Sequence, residues 1–176
     1  RDEVNLTVPS CTQNCIDFES LDTSIYSAFE YGLTDTIFTL NGIPVYLDSV
    51  LFSNGVSKGR DGSLRIINNQ NSGNFQGNVL STQEINLRFD LSVLADEVIE
   101  LTFDASESSG HRNIQVNGEN LYFFTSYNEL PSAIANGVTF SRDTGTTVTL
   151  AGTIEELVIG GEDLIFDDLC LTLQSN

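Results

Sequence analysis

The chain has 176 residues, 40% of them hydrophobic, which suits a single domain with a sizeable core. Seven Lys and Arg against 25 Asp and Glu leave a formal net charge of -18, which opposes nucleic acid and anionic membranes by long-range repulsion and favours cations as partners. No run of 18 apolar residues predicts membrane insertion, no basic start followed by an apolar stretch marks a remaining signal peptide, and with no Met anywhere Arg1 reads as a mature end left by processing.

In chain order, the first stretch is RDEVNLTVPS, in which Val4, Leu6 and Val8 alternate with polar residues until Pro9 and Ser10 interrupt them. That is the period-two pattern of a half-buried strand. Residues 1–14 are therefore expected to form an N-terminal arm, a possible donor or edge strand, and residues 15–176 a single domain. Asn5-Leu6-Thr7 is a glycosylation sequon, a tripeptide that also arises by chance. Cys11, Cys15 and Cys170 lack the fourth ligand of a zinc site, since the one histidine, His111, is remote in sequence. A disulfide joining the chain ends is expected, with Cys15 or Cys11 as the partner of Cys170 and the other thiol free or intermolecular. Such a bond places the protein in an oxidising compartment, secreted or on a cell surface.

Further along, short runs of Val, Ile, Leu, Phe and Thr alternate with Gly, Asn, Asp and Ser clusters. They predict strands near 15–19, 36–40, 43–52, 63–67, 84–91, 97–104, 113–116, 120–125, 137–141, 146–151, 154–159 and 164–173. Asn41-Gly42 and Asn117-Gly118 predict tight turns, and helical turns are expected only at Tyr127–Ala135 and Leu91–Asp96. So many short strands would leave long edges in one flat sheet, so the expected fold is all-β: a two-sheet antiparallel β-sandwich, jelly-roll-like, with its first and last strands adjacent. That adjacency would bring Cys15 to Cys170.

The pairing of Cys15-Ile16-Asp17-Phe18-Glu19 with Phe166-Asp167-Asp168-Leu169-Cys170 resembles the frame of jelly-roll carbohydrate-binding modules and MAM-type domains. A longer pattern is similar to a family of uncharacterised secreted bacterial domains. Its residues here are Asn41-Gly42-Ile43-Pro44-Val45, Leu87-Arg88-Phe89-Asp90, Ser109-Gly110-His111-Arg112-Asn113-Ile114-Gln115-Val116-Asn117-Gly118 and Ile159-Gly160-Gly161-Glu162-Asp163 leading into Leu164–Cys170. That resemblance implies an extracellular β-sandwich of no known activity. The chain departs from the pattern at Ser109, at Glu162-Asp163 and at Cys11 with its preceding arm.

Glu19, Asp167 and Asp168 are the metal candidates, because adjacent end strands would make carboxylates converge, and a hard cation such as Ca²⁺ relieves their repulsion. The resemblance points the same way, to a structural ion; the plainer alternative is solvated acids on an acidic protein. No catalytic residues are assigned. With 25 acids any glycosidase pair can be nominated, and His111 sits in a turn-like Gly-His-Arg-Asn with no nucleophile elbow nearby. Lys58, the one lysine, falls in a Gly-rich loop. Tyr122, Tyr127 and Asn113 could contact a glycan, against the alternative that aromatics are core and Asn serves turns. The functional expectation is a non-catalytic secreted protein that assembles through Val4, Leu6 and Val8 into a homopolymeric fibre, sheath or matrix stabilised by calcium. The alternative is a carbohydrate-binding or adhesive module with a polysaccharide partner.

Overall fold

A computed structural model describes residues 11–27, 30–33, 35–55, 57–58, 62–68, 75, 77–106 and 110–175. Residues 1–10, with Val4, Leu6, Val8 and the Asn5 sequon, lie outside the described residues, as do Gly59, Arg60 and Asp61 after Lys58.

The described chain is a β-sandwich. In order its strands are β1 (Cys11–Ile16), β2 (Ile25–Ser27), β3 (Thr36–Leu40), β4 (Ile43–Asp48), β5 (Val50–Leu51), β6 (Ser57–Lys58), β7 (Ser63–Asn68), β8 (Asn78–Gln83), β9 (Ile85–Asp90), β10 (Glu97–Ala105), β11 (Arg112–Val116), β12 (Tyr122–Phe124), β13 (Ala133–Ala135), β14 (Val138–Arg142), β15 (Thr147–Ala151), β16 (Glu156–Gly161) and β17 (Leu164–Gln174). One sheet runs β13-β14-β15-β10-β17-β8-β7-β2, with β1 added to β17; the other runs β12-β11-β16-β9-β4-β3. From β8 to β11 and again from β15 to β17, successive strands cross from one sheet to the other, which gives the jelly-roll character.

Alternation explains most of these strands. In β4, Ile43, Val45 and Leu47 are buried while Pro44, Tyr46 and Asp48 are partly exposed. Between the sheets, Phe166 gathers the rings of Phe18, Phe89 and Phe103 at centroid distances of 5.9, 5.6 and 5.0 Å. This aromatic cluster holds the first and last motifs of the chain against the core.

Four differences from the sequence expectations have physical causes. Cys11–Asn14, read as part of the arm, belong to the sandwich: they pair with Leu171–Gln174. The strand carries no apolar alternation there because every residue from Cys11 to Cys15 is exposed. Strand β8 has no sequence signature, since Val79, Leu80, Ser81 and Thr82 are all buried and polar residues fill inward positions. The expected strand 43–52 breaks at Ser49, and β5 pairs with β6 as a separate small sheet. Tyr127–Glu129 forms a 3-10 turn capped by Ser126, but Ala133–Ala135 is a strand, and Leu91–Asp96 is turn and bend without a helix.

Candidate functional site

Strand β1 lies antiparallel on β17, and Cys15 sits opposite Cys170 with their Cα atoms 3.9 Å apart, joined by a disulfide. Cys11 is a free, exposed thiol at the start of β1. Among the described residues no helix is long and apolar enough to cross a membrane.

The carboxylates of the two end motifs meet beside this clamp. Along β17 the inward residues are Leu164 and Phe166, then Leu169, Leu171 and Leu173, so one extra residue intervenes near Asp168. The register confirms a bulge: Thr102 of β10 opposes Cys170, whereas Asp104 opposes Asp167. Asp168 takes a φ of 50°, a region that Asp tolerates better than most residues, and its backbone N–H donates to Asp167 Oδ1 at 2.9 Å. The bulge thus buries Asp167, leaving it 4% exposed, directly across from a second aspartate. Like charges facing each other across a ladder are destabilising.

The electrostatics follow from that placement. Burial pushes the Asp167 carboxyl up to about 7, and the charges of Asp168, Asp104 and Glu19 add to the shift against the hydrogen bond from Asp168. Asp168 is also raised, first by lost solvation and then by Asp104, Asp17 and Glu19. Glu19 is anchored by the backbone N–H of Asn78, which donates to its Oε1 at 2.8 Å. Gly77, at φ 79°, makes room for that anchor, since a Cβ there would collide with the same Glu19 oxygen. Asp104 Oδ1 accepts from the hydroxyls of Thr147 and Thr146 at 2.7 and 3.3 Å. Glu19, Asp167 and Asp168 therefore share one electrostatic neighbourhood with Asp17 and Asp104. Asp104 carried no sequence signal, because only the register of β10 against β17 brings it there. Among the described residues, no three of these side chains already stand in ligand geometry.

The glycan candidates lie differently. Asn113 is fully buried, at 0% exposure, on the outer face of the second sheet beneath β5. Its Oδ1 accepts from Leu51 N and Asn86 Nδ2 at 2.8 and 3.1 Å, and its Nδ2 donates to the carbonyls of Leu51 and Arg112, both at 3.0 Å. Gly160 of β16 stands between Asn113 and Asn86 in the ladder, and the two amides bridge over it. A Cβ on Gly160 would press on Asn86. This amide is fully committed to the protein and is withdrawn from any sugar. Tyr127 is also buried, packed on Phe124 and Phe140 with the Arg142 guanidinium over its ring. Tyr122 is half-buried against the core. The His111 ring stacks on Phe123 at 4.5 Å, and its backbone N–H donates to Glu162.

A feature that the sequence did not signal lies on the other side of β1. Among the described residues no strand pairs with its second edge. There a cavity of about 520 Å³ has a mixed lining, Ile16, Leu21 and Leu40 with Cys15, Asp17, Ser20 and Thr39, and a second of about 250 Å³ is mainly apolar, bounded by Ile16, Ile43, Leu94, Leu171 and Leu173. The two share Ile16 and Asn41, so they form one trench between β1 and the turn that joins β3 to β4.

No family model matches the chain, and neither does any curated protein or solved structure.

Proposed function

We propose that this protein is a non-catalytic extracellular building block that polymerises through its N-terminal segment into a fibre, sheath or matrix. The observation that carries the reading is the second edge of β1, with which no strand pairs among the described residues. A six-residue strand held to β17 by a disulfide exposes a row of backbone donors and acceptors, and a segment with strand alternation immediately precedes it. Such an edge is a template for strand addition. The disulfide fits an oxidising exterior, as does the motif resemblance to secreted bacterial domains.

Calcium enters the reading as the counter-charge of the Asp17, Glu19, Asp104, Asp167 and Asp168 neighbourhood. The donors are all carboxylate oxygens, which suit a hard cation, and closing around one would require side-chain rotations of the exposed Asp17, Glu19 and Asp168. The ion would fix the bulge of β17 and thereby the strand that carries β1.

Electron microscopy of the unreduced protein with calcium, before and after chelation, tests this. Ordered fibres are expected, and removal of residues 1–10 is expected to abolish them while the domain stays folded. Dispersed particles would overturn the reading, and if such particles bound a polysaccharide saturably the protein would be an adhesive module instead. Polymers formed by the truncated chain would rule out the N-terminal segment as donor.

A further inference from the structure

We infer that the trench beside β1 is the acceptor site for residues 4–8 of a second copy of this chain. The inference rests on the assembly reading above and specifies where, and in which direction of exchange, the contact forms.

The trench has the chemistry of a missing strand. The inner face of β1 is set by Ile16, which is buried, and Asn14, which lines the apolar cavity with Leu171 and Leu173. Thr12 follows on the same face by alternation, while Cys11, Gln13 and the disulfide-bonded Cys15 take the outer one, Cys15 also bordering the wider, polar end of the trench. A strand added to the free edge would drop every second side chain between Leu40 and Ile43 on one side and Leu171 and Leu173 on the other. Val4, Leu6 and Val8 supply that spacing. Five extended residues span ~17 Å, about the length of β1 itself.

Among the described residues, the terminal strands of the two sheets are short or shifted and β1 is neither. Strands β2, β12 and β13 are three residues long, and β3 is interrupted by a register shift between Thr36 and Phe38. Strand β1 has six residues, no shift against β17, no charge and no proline. Short strands, bulges, charges and prolines are the devices by which edges avoid pairing.

The local sequence opposes the two shortest hairpins that would pair the segment within one chain. A two-residue hairpin from Val8 to Cys11 would put Pro9 at the first central position, where the favoured turns need a positive φ that proline cannot adopt. A three-residue loop over Val8, Pro9 and Ser10 would need Val8 in the helical region before proline, which is sterically disfavoured, and a positive φ at Ser10. Even a forced two-residue turn would align Val8, Leu6 and Val4 with Cys11, Gln13 and Cys15, on the outer face. Glu3, Asn5 and Thr7 would then face the apolar end of the trench at Ile43, Leu94, Leu171 and Leu173. A strand from a neighbouring copy is free of both restrictions, because its register is not fixed by the turn.

The test places the same charge on the two faces of β1 in the full chain. Asn14→Lys sets an ammonium in the trench, and Gln13→Lys sets it one residue away on the outer face. In sedimentation and electron microscopy, the Gln13→Lys protein is expected to assemble like the parent and the Asn14→Lys protein to lose the sedimenting fraction. If both variants assemble, the trench is not the acceptor although polymerisation stands. If the parent itself stays dispersed, the assembly reading fails and this inference falls with it. A second measurement does not depend on how well the charged variant folds: in a Cys11→Ser background, Leu6→Cys with Asn14→Cys is oxidised and resolved without reductant. Disulfide-linked multimers are expected; a link confined to single chains, or none in protein that assembles, would overturn the exchange between copies.

Discussion

Asn113 and Asp167 are both almost wholly withdrawn from solvent, at 0% and 4% exposure, and they meet burial in opposite ways. Asn113 is neutral and its amide is saturated by Leu51, Arg112 and Asn86. Asp167 is an acid facing another acid, and the adjacent backbone N–H of Asp168 donates to its Oδ1. A saturated buried group fixes the packing around it, whereas an undercompensated one leaves part of its desolvation unrelieved and responds to protons and ions. The contrast assigns Asn113 to architecture and Asp167 to the responsive part of the molecule.

The largest expected effect comes from breaking the saturated member. Asn113→Ala leaves the N–H and C=O of Leu51 and the amide of Asn86 without their partner, and each stranded buried group costs about 1–3 kcal/mol. A loss of roughly 3–4 kcal/mol is expected in urea unfolding at an unchanged m-value, with β5 detaching first by hydrogen exchange. A variant within ~0.5 kcal/mol of the parent would show that the network is not structural.

Asp167→Asn sharpens the contrast from the other side, with a smaller effect of opposite sign. It removes the charge but keeps the shape, so the ion-free protein at pH 7.5 is expected to gain on the order of 2 kcal/mol, or ~6 °C in Tm. A destabilised Asp167→Asn protein in chelator would mean that the ionised carboxylate is satisfied in the fold and needs no counter-charge.

The sandwich was legible in the sequence because most strands alternate, and β4 and β17 show why: one face is core and the other is wet. The end-strand pairing was legible from CIDFE and FDDLC, whose Phe18 and Phe166 meet in the core. Strand β8 and the first residues of β1 were not, since one is buried on both faces and the other exposed on both, and neither condition produces a period of two. Asn113 looked like a surface amide because nothing in RNIQV announces that β5 will cover it. Asp104 was invisible as a site residue because its relation to Asp167 is set by a bulge, and bulges shift register without a sequence mark.

The smallest effect tests whether protons and calcium compete at the same carboxylates. Asp167 has its pKa raised from 3.8 to about 7, so between those values the folded protein holds a proton that the unfolded chain has released. Stability of the ion-free protein therefore falls as pH rises through that window and levels off above it. The general repulsion of an acidic chain slopes the same way, so the quantity to measure is the difference between the parent and Asp167→Asn proteins, which isolates this carboxyl. Calcium at ten times its dissociation constant stabilises by ~1.4 kcal/mol, or ~4 °C in Tm. That gain is expected at pH 7.5, is expected to vanish near pH 5 where Asp167 is protonated, and is expected to be absent from the Asp167→Asn protein at either pH. An equal gain in both proteins would locate the ion away from the bulge, among the acids that are merely solvated.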